Sequence, residues 1–340
     1  MGERAALGVI GAGGFGTALG ALVARAGNDV VIWSMTAEVT DEINREHTSR
    51  ERLPDVRLPD RLRATSDPGE LAARARLLLI AVSSTEARER ARALGEVIDG
   101  RHMVVHAIGA LAGPDEARLS QVIEEETPAR RIGALAGPAL PADLATGRFA
   151  AMVCASPFDE VTREARRVLN LPPAIRLYTS RDLTGVELAA TLSGAYSIAF
   201  GMGDVLGIGP GPRAVLITRV VAEAQRLVVA LGGEARTFTG LAGLGNLLVR
   251  TSPGSGDHAP GYQFGRALAQ EDTAAADAPA TPVAERRLPE AARAAATAVR
   301  LARRHRQRAP VLEAIARVID GRLRPSEAAA ALSDTVALEE

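Results

Sequence analysis

The chain contains no lysine: all 40 of its Lys-plus-Arg positions are arginine. Arginine keeps its proton, so no amine side chain can act as an acid or a base here. Cysteine is nearly absent as well. Cys154 alone cannot close an internal disulfide, which fits a reducing cytoplasm. Aromatic residues are only 3% of the sequence while hydrophobic residues are 47%, so an aliphatic, helix-rich core is expected. No apolar run reaches the ~18 residues that a membrane span needs. The N-terminus shows neither the basic region nor the small-residue cleavage site of a signal peptide. A formal net charge of −1, with acids and bases interspersed, gives no argument for nucleic acid or an anionic membrane as partner. A small-molecule ligand and a homodimer are both compatible with such a chain.

A length of 340 residues suggests two domains. Apolar runs at Leu7 to Ile10, Asp29 to Trp33, Leu77 to Val82, Met103 to Ala107, Ile132 to Leu135 and Ala150 to Ala155 read as strands. They alternate with helical stretches, which predicts an α/β domain built on a doubly wound parallel sheet, the Rossmann arrangement, over residues 1–181. From Leu183 to Ala230 the pattern is helical, interrupted only by Gly207 to Pro212, and 285–331 is helical again. Residues 182–340 are therefore expected to form an all-α domain. The Gly-, Pro-, Ala- and Asp-rich stretches Thr251 to Gly261 and Glu271 to Pro282 read as mobile loops.

The first strand ends in Gly11-Ala12-Gly13-Gly14-Phe15-Gly16. The spacing G-x-G-x-x-G is weak alone, but here it occupies the first strand-to-helix turn of an alternating domain. Gly11 suits the tight turn, Gly13 the close approach of a pyrophosphate, and Gly16 the packing of helix on strand. The helix N-terminus then offers free N–H groups to the anion. Gly11, Gly13, Gly14, Phe15 and Gly16 are the candidate cofactor contacts. At the end of the second strand a carboxylate would bind the ribose 2′-hydroxyl of NAD, but Trp33-Ser34-Met35-Thr36 has none. Ser34 and Thr36 could hydrogen-bond a 2′-phosphate, helped by Arg61 or Arg63, or could simply be loop residues. NAD and NADP both stay open.

Further runs follow the same order and spacing as one known family. Gly11 to Leu19 is similar to a GAGxxGTALA turn, and Leu53-Pro54-Asp55-Val56 with Pro59-Asp60 to an LPDVxxPD stretch. Val82-Ser83 closes a buried strand as a V-P-S turn does beside a cofactor. Gly137-Pro138, Gly203-Asp204, Arg213 to Arg219 (RAVLITR) and Leu241-Ala242-Gly243-Leu244-Gly245 continue the likeness, and Val283-Ala284-Glu285 is similar to a V-V-E-G run. Together they resemble the NAD(P)-dependent glycerol-3-phosphate dehydrogenases over nearly the whole chain. The resemblance adds Val82, Ser83 and Glu285 to the cofactor contacts, beside Ser34. It implies hydride transfer from the nicotinamide to dihydroxyacetone phosphate.

A carbonyl that receives hydride develops negative charge on oxygen and needs a proton donor in a positive field. The family supplies two lysines and an aspartate, with an Arg-Asn pair on the phosphate. At the matching positions this chain has Ile108 in Ala107-Ile108-Gly109, Ser193 in Ser193-Gly194-Ala195, and Asn246. No arginine lies between Thr251 and Gln263, although Arg250 or Arg266 could reach a phosphate. Compositional drift towards arginine does not explain these changes, because neither Ile108 nor Ser193 is arginine. The expected outcome is a pseudoenzyme that binds NAD or NADP but has lost the family reaction. Rival readings are an oxidoreductase with a changed substrate and a cofactor-sensing or partner-binding protein. His106, Ser193, Tyr196 and Asn246 are the weak catalytic candidates; each also reads as a buried, hydrogen-bonded structural residue. His258 reads as a solvated loop residue, Cys154 as core, and no metal constellation is present in the sequence.

Overall fold

The computed structural model describes residues 6–112, 116–252, 259–274 and 288–334. By its contacts the chain divides into two compact units, 1–187 and 188–340. The expected boundary at residue 181 precedes this division, which falls inside a long helix.

Among its described residues the first unit holds eight strands: β1 (Leu7–Ile10), β2 (Val30–Trp33), β3 (Leu62–Thr65), β4 (Leu77–Ile80), β5 (Met103–His106), β6 (Arg131–Ala136), β7 (Ala150–Ala155) and β8 (Ile175–Ser180). Between them run helices α1 (Gly14–Arg25), α2 (Ala37–Asp41), α3 (Pro68–Arg74), α4 (Ala87–Gly95), α5 (Leu119–Glu126), α6 (Pro141–Thr146) and α7 (Asp159–Leu169). All strands join one sheet in the order β3-β2-β1-β4-β5-β6-β7-β8. Every pairing is parallel except β6 with β7, where Leu135 lies opposite Cys154 in antiparallel register. The sheet is therefore mostly parallel, not wholly so as the sequence suggested, and β3 and β8 add two edge strands.

Alternate residues serve opposite faces. Leu7, Val9, Ile32, Leu79 and Val105 pack with α1 residues such as Leu19 and Val23. Ile10, Val31, Trp33, Leu78, Ile80 and Val104 pack on the other side with Leu71, Ala87 and Ala91. Both faces are covered, as a parallel sheet requires. The Cys154 thiol is fully buried in β7, and burial pushes its pKa up to about 12. A thiol so held stays protonated and unreactive. Ellman's reagent should leave the folded chain unlabelled and titrate one thiol once it is denatured; rapid labelling of the native chain would contradict this.

The second unit is all-helical among its described residues. Helix α8 (Leu183–Val205) leads into it and is followed by α9 (Pro210–Ala230), α10 (Ala235–Thr239), a π-helical turn at Leu241–Gly245 and α11 (Asn246–Arg250). Then come α12 (Pro260–Ala274), α13 (Glu290–Arg304), α14 (Pro310–Ile319) and α15 (Pro325–Asp334). Helix α12 takes in Pro260, Gly261 and residues 271–274, which the sequence reading had placed in loops. The remainder of those two stretches lies largely outside the described residues, as do His258 and Glu285. Among the described residues no helix is long and apolar enough to cross a membrane.

Candidate functional site

Strand order reverses at β1, which has β2 on one side and β4 on the other. Ligands of open α/β sheets bind outside the carboxyl ends of the strands at such a point. The register aligns those ends: Ile10 pairs with both Trp33 and Ile80, and Ile80 with His106. Gly11, Ser34, Val82 and Ile108 consequently follow their strands on one edge.

The glycine turn is shaped for an anion. Gly11 has φ +106°, where a side chain is strained, and a Cβ there would sit 2.6 Å from Val82 Cγ1. A Cβ on Gly16 would lie 2.8 Å from the Gly11 carbonyl oxygen and 3.0 Å from Val9 Cγ1, so this glycine lets α1 press onto β1. Gly13 differs: its φ is −73°, and the nearest atom to an added Cβ is the Ala81 oxygen at 3.8 Å. The protein itself makes no demand for glycine at Gly13, and the space is left for something outside the chain. Gly13 is also the N-cap of α1 and has no side chain to satisfy the first N–H groups; no acidic residue lies in that turn. Open space, unsatisfied donors and the positive end of a 12-residue helix fit the pyrophosphate of NAD or NADP. Gly11, Gly13, Gly14, Phe15, Gly16 and Val82 are brought together here. Ser83 Oγ donates to Glu86 Oε2 at 2.7 Å at the start of α4. Ser34 Oγ accepts from the Thr36 N–H at 3.2 Å.

His106 is 2% exposed and has both ring nitrogens engaged. The Ile108 N–H points to Nδ1 at 3.4 Å, which places the ring proton on Nε2, 3.1 Å from Glu187 Oε1. Glu187 also accepts from the Ser120 N–H at 2.8 Å, Ser120 Oγ at 2.7 Å and Arg118 Nη1 at 2.9 Å. Burial raises the Glu187 pKa, but the His106 hydrogen bond, the Ser120 N–H and the Arg118 charge outweigh it and hold the carboxyl below its usual range. This network went unnoticed in the sequence because its members are spread over some eighty residues. A carboxyl whose pKa is lowered by folding stabilises the fold above its unfolded value and loses that contribution as pH falls through the lowered one. Glu187→Ala should cost about 3 kcal/mol at neutral pH, since it strands the buried His106 and leaves the partly exposed Arg118 without its carboxylate. Thermal melts should show the gap between wild type and variant narrowing in acid; a gap that widens would contradict the assignment.

In the second unit Ser193 and Asn246 meet directly. Ser193 Oγ donates to the Ala190 carbonyl at 2.8 Å and accepts from Asn246 Nδ2 at 2.9 Å. Arg250 Nε donates to Asn246 Oδ1 at 3.0 Å. Burial pushes the Arg250 pKa down, against the opposing pull of Glu290. Tyr196 is wholly buried, edge-on to Phe238 with ring centroids 6.3 Å apart. Its hydroxyl donates to Glu223 Oε1 at 3.0 Å, and Glu223 accepts from the Val311 and Leu312 N–H groups at 2.9 and 3.1 Å. Burial raises both pKa values, the Tyr196 phenol well above its usual range. The Tyr196–Glu223 pair thus caps α14 and ties it to α8 and α9. Arg266 stacks over Tyr262 at 5.9 Å, and Arg213 is taken by Asp204 at 2.7 Å.

Comparison with known proteins agrees with this geometry in both halves of the chain. Residues 6–162 match the family model for the NAD-dependent glycerol-3-phosphate dehydrogenase N-terminus, and residues 182–330 that for its C-terminus. A glycerol-3-phosphate dehydrogenase (NAD(P)+) 2 of Sphingopyxis alaskensis is 39% identical over 267 residues, covering 77% of this chain and 79% of the relative. A glycerol-3-phosphate dehydrogenase (NAD(P)+) of Thermobifida fusca is 34% identical over 324 residues, 94% of either chain. The crystal structure of the glycerol-3-phosphate dehydrogenase of Coxiella burnetii superposes with a TM-score of 0.85 at 27% identity, covering 97% of this chain and 99% of that one. A dinucleotide cradle on a mostly parallel sheet, followed by this helical unit, is their shared plan, and the chain belongs to the NAD(P)-dependent glycerol-3-phosphate dehydrogenase family.

Proposed function

We propose that this chain is a nicotinamide dinucleotide-binding member of the family in which the reduction of dihydroxyacetone phosphate to glycerol 3-phosphate is severely impaired. The observation that carries this reading is the absence of lysine from the whole sequence, with neutral residues at the three matching positions. Bound NADH or NADPH supplies the hydride. The chain must then stabilise the alkoxide and deliver a proton to its oxygen. Ile108 is apolar and 5% exposed, so it does neither. Ser193 is wholly buried, and its hydroxyl proton is already given to Ala190. Asn246 is 5% exposed and neutral, and cannot take the part of a carboxylate.

The same burial weighs against a changed substrate acting through these residues. His106 and Tyr196 are equally committed, to Glu187 and Glu223. What remains intact is the cradle, which supports nucleotide binding as the retained property. A homodimer, a cytoplasmic location and a cofactor-sensing role are compatible with this reading. The decisive measurement is the rate of NAD(P)H oxidation by the purified chain with dihydroxyacetone phosphate, alongside nucleotide binding by fluorescence. Binding without turnover is expected. Turnover at ordinary enzyme rates would end the proposal.

A further inference from the structure

The adenosine half of a dinucleotide lies at the end of β2, where a carboxylate reads a ribose 2′-hydroxyl and an arginine accommodates a 2′-phosphate. Here β2 runs into Ser34, Met35 and Thr36, and the first carboxylate, Glu38, is exposed within α2. The buried indole N–H of Trp33, the last residue of β2, has no partner. Neither arginine suggested by the sequence serves this place. Arg61 pairs with Asp29 at 2.9 Å beside the amino end of β2, and Arg63 lies within β3 opposite Val31.

The cation comes instead from α4. Arg90 sets Nη1 against the sulfur of Met35, a contact spanning 55 residues of sequence. Its side chain is only 15% exposed. Its carboxylate neighbours are Glu89 at 3.1 Å and Glu86 at 3.9 Å, which are 68% and 51% exposed. Glu86 is also held by Ser83. Ion pairs of such exposure are weak, so a phosphate dianion can displace them from the guanidinium. Ser34, a residue 8% exposed, adds a neutral hydroxyl to the same strand end.

We propose that Arg90 reads the 2′-phosphate, so that the chain binds NADP(H) in preference to NAD(H). The inference rests on the nucleotide cradle and not on the loss of turnover, so binding alone tests it. The purified chain is titrated with NADPH and with NADH at low salt, following nicotinamide fluorescence. NADPH should bind at least about tenfold more tightly, as a charge-assisted contact implies, and the advantage should shrink as salt rises. Arg90→Ala should remove the advantage, weakening NADPH by about ten- to a hundredfold while leaving NADH within about twofold. 2′,5′-ADP should compete better than 5′-AMP for wild type and equally for the variant. Met35→Asp, an exposed change, should invert the preference even if Arg90→Ala fails to fold. NADH binding as tightly as NADPH to wild type, equal weakening of both by Arg90→Ala, or no effect of Met35→Asp would each overturn the proposal. Binding of neither nucleotide would remove the cradle itself, and this reading with it.

Discussion

With saturating dihydroxyacetone phosphate and NADH or NADPH, the purified chain should turn over at least about 10⁴-fold more slowly than a working dehydrogenase. Ordinary enzymes run at ~1–10³ s⁻¹, so the expected rate is below about 0.1 s⁻¹. The factor is built from two losses. Removing a general acid costs ~10²- to 10⁴-fold, and removing a donor that stabilises the developing oxyanion costs ~10²- to 10³-fold. The restoring variant Ile108→Lys with Ser193→Lys and Asn246→Asp tests the same claim in the other direction and should raise the rate. The two positions that would receive lysine are almost sealed, Ser193 at 0% and Ile108 at 5% exposure. New ammonium groups there would be desolvated and their pKa values lowered, so recovery is expected to be partial and to improve as pH falls towards those lowered values, where the groups are protonated. A wild-type rate in the normal range, measured free of host enzyme, would refute the premise.

The second large effect concerns nucleotide binding, and it separates glycines that look alike in the sequence. Gly13→Val should raise the Kd for NADPH by about a hundredfold or more, ~2.7 kcal/mol, while costing about 0.5–1.5 kcal/mol of stability through the poorer N-cap. The reason is the open space around Gly13, where an added Cβ meets no protein atom nearer than 3.8 Å and a larger side chain would take the room offered to a pyrophosphate. Gly16→Val should instead destabilise the fold itself by about 1–3 kcal/mol or more, because its Cβ would lie 2.8 Å from the Gly11 oxygen and 3.1 Å from Ala81 Cβ. Thermal melts and fluorescence titrations on the two variants distinguish the effects. Undiminished nucleotide binding by Gly13→Val would show that the turn is only structural.

The cradle was readable from the sequence because its signal is local: three glycines at fixed spacing between an apolar strand and a helix. The buried strands were equally readable as continuous aliphatic runs. β3 and β8 escaped because they are the two edges of the sheet and carry polar residues on one face. Arg63 in β3 is exposed, and in β8 exposed Arg176 and Tyr178 alternate with buried Ile175 and Leu177. In β8 that period-two alternation is a usable sign of a strand; in β3 the run is too short to show it. The antiparallel turn of β7 was ambiguous, since the segment from 137 to 149 holds only the six-residue α6 and its length suits either direction. Long-range partners left no trace at all. Nothing in sequence spacing pairs Arg90 with Met35, His106 with Glu187, or Tyr196 with Glu223. The meeting of Ser193 with Asn246 was implied only by the family resemblance.

Glu223 holds together three helices whose contact points, Tyr196, Glu223 itself and Val311 with Leu312, are far apart along the chain. Its carboxylate answers a phenol on one helix and two backbone donors at the mouth of another, all out of reach of water. No one of these helices can swing outward without stranding polar groups on the other two. These three helices should therefore come apart together and not one at a time.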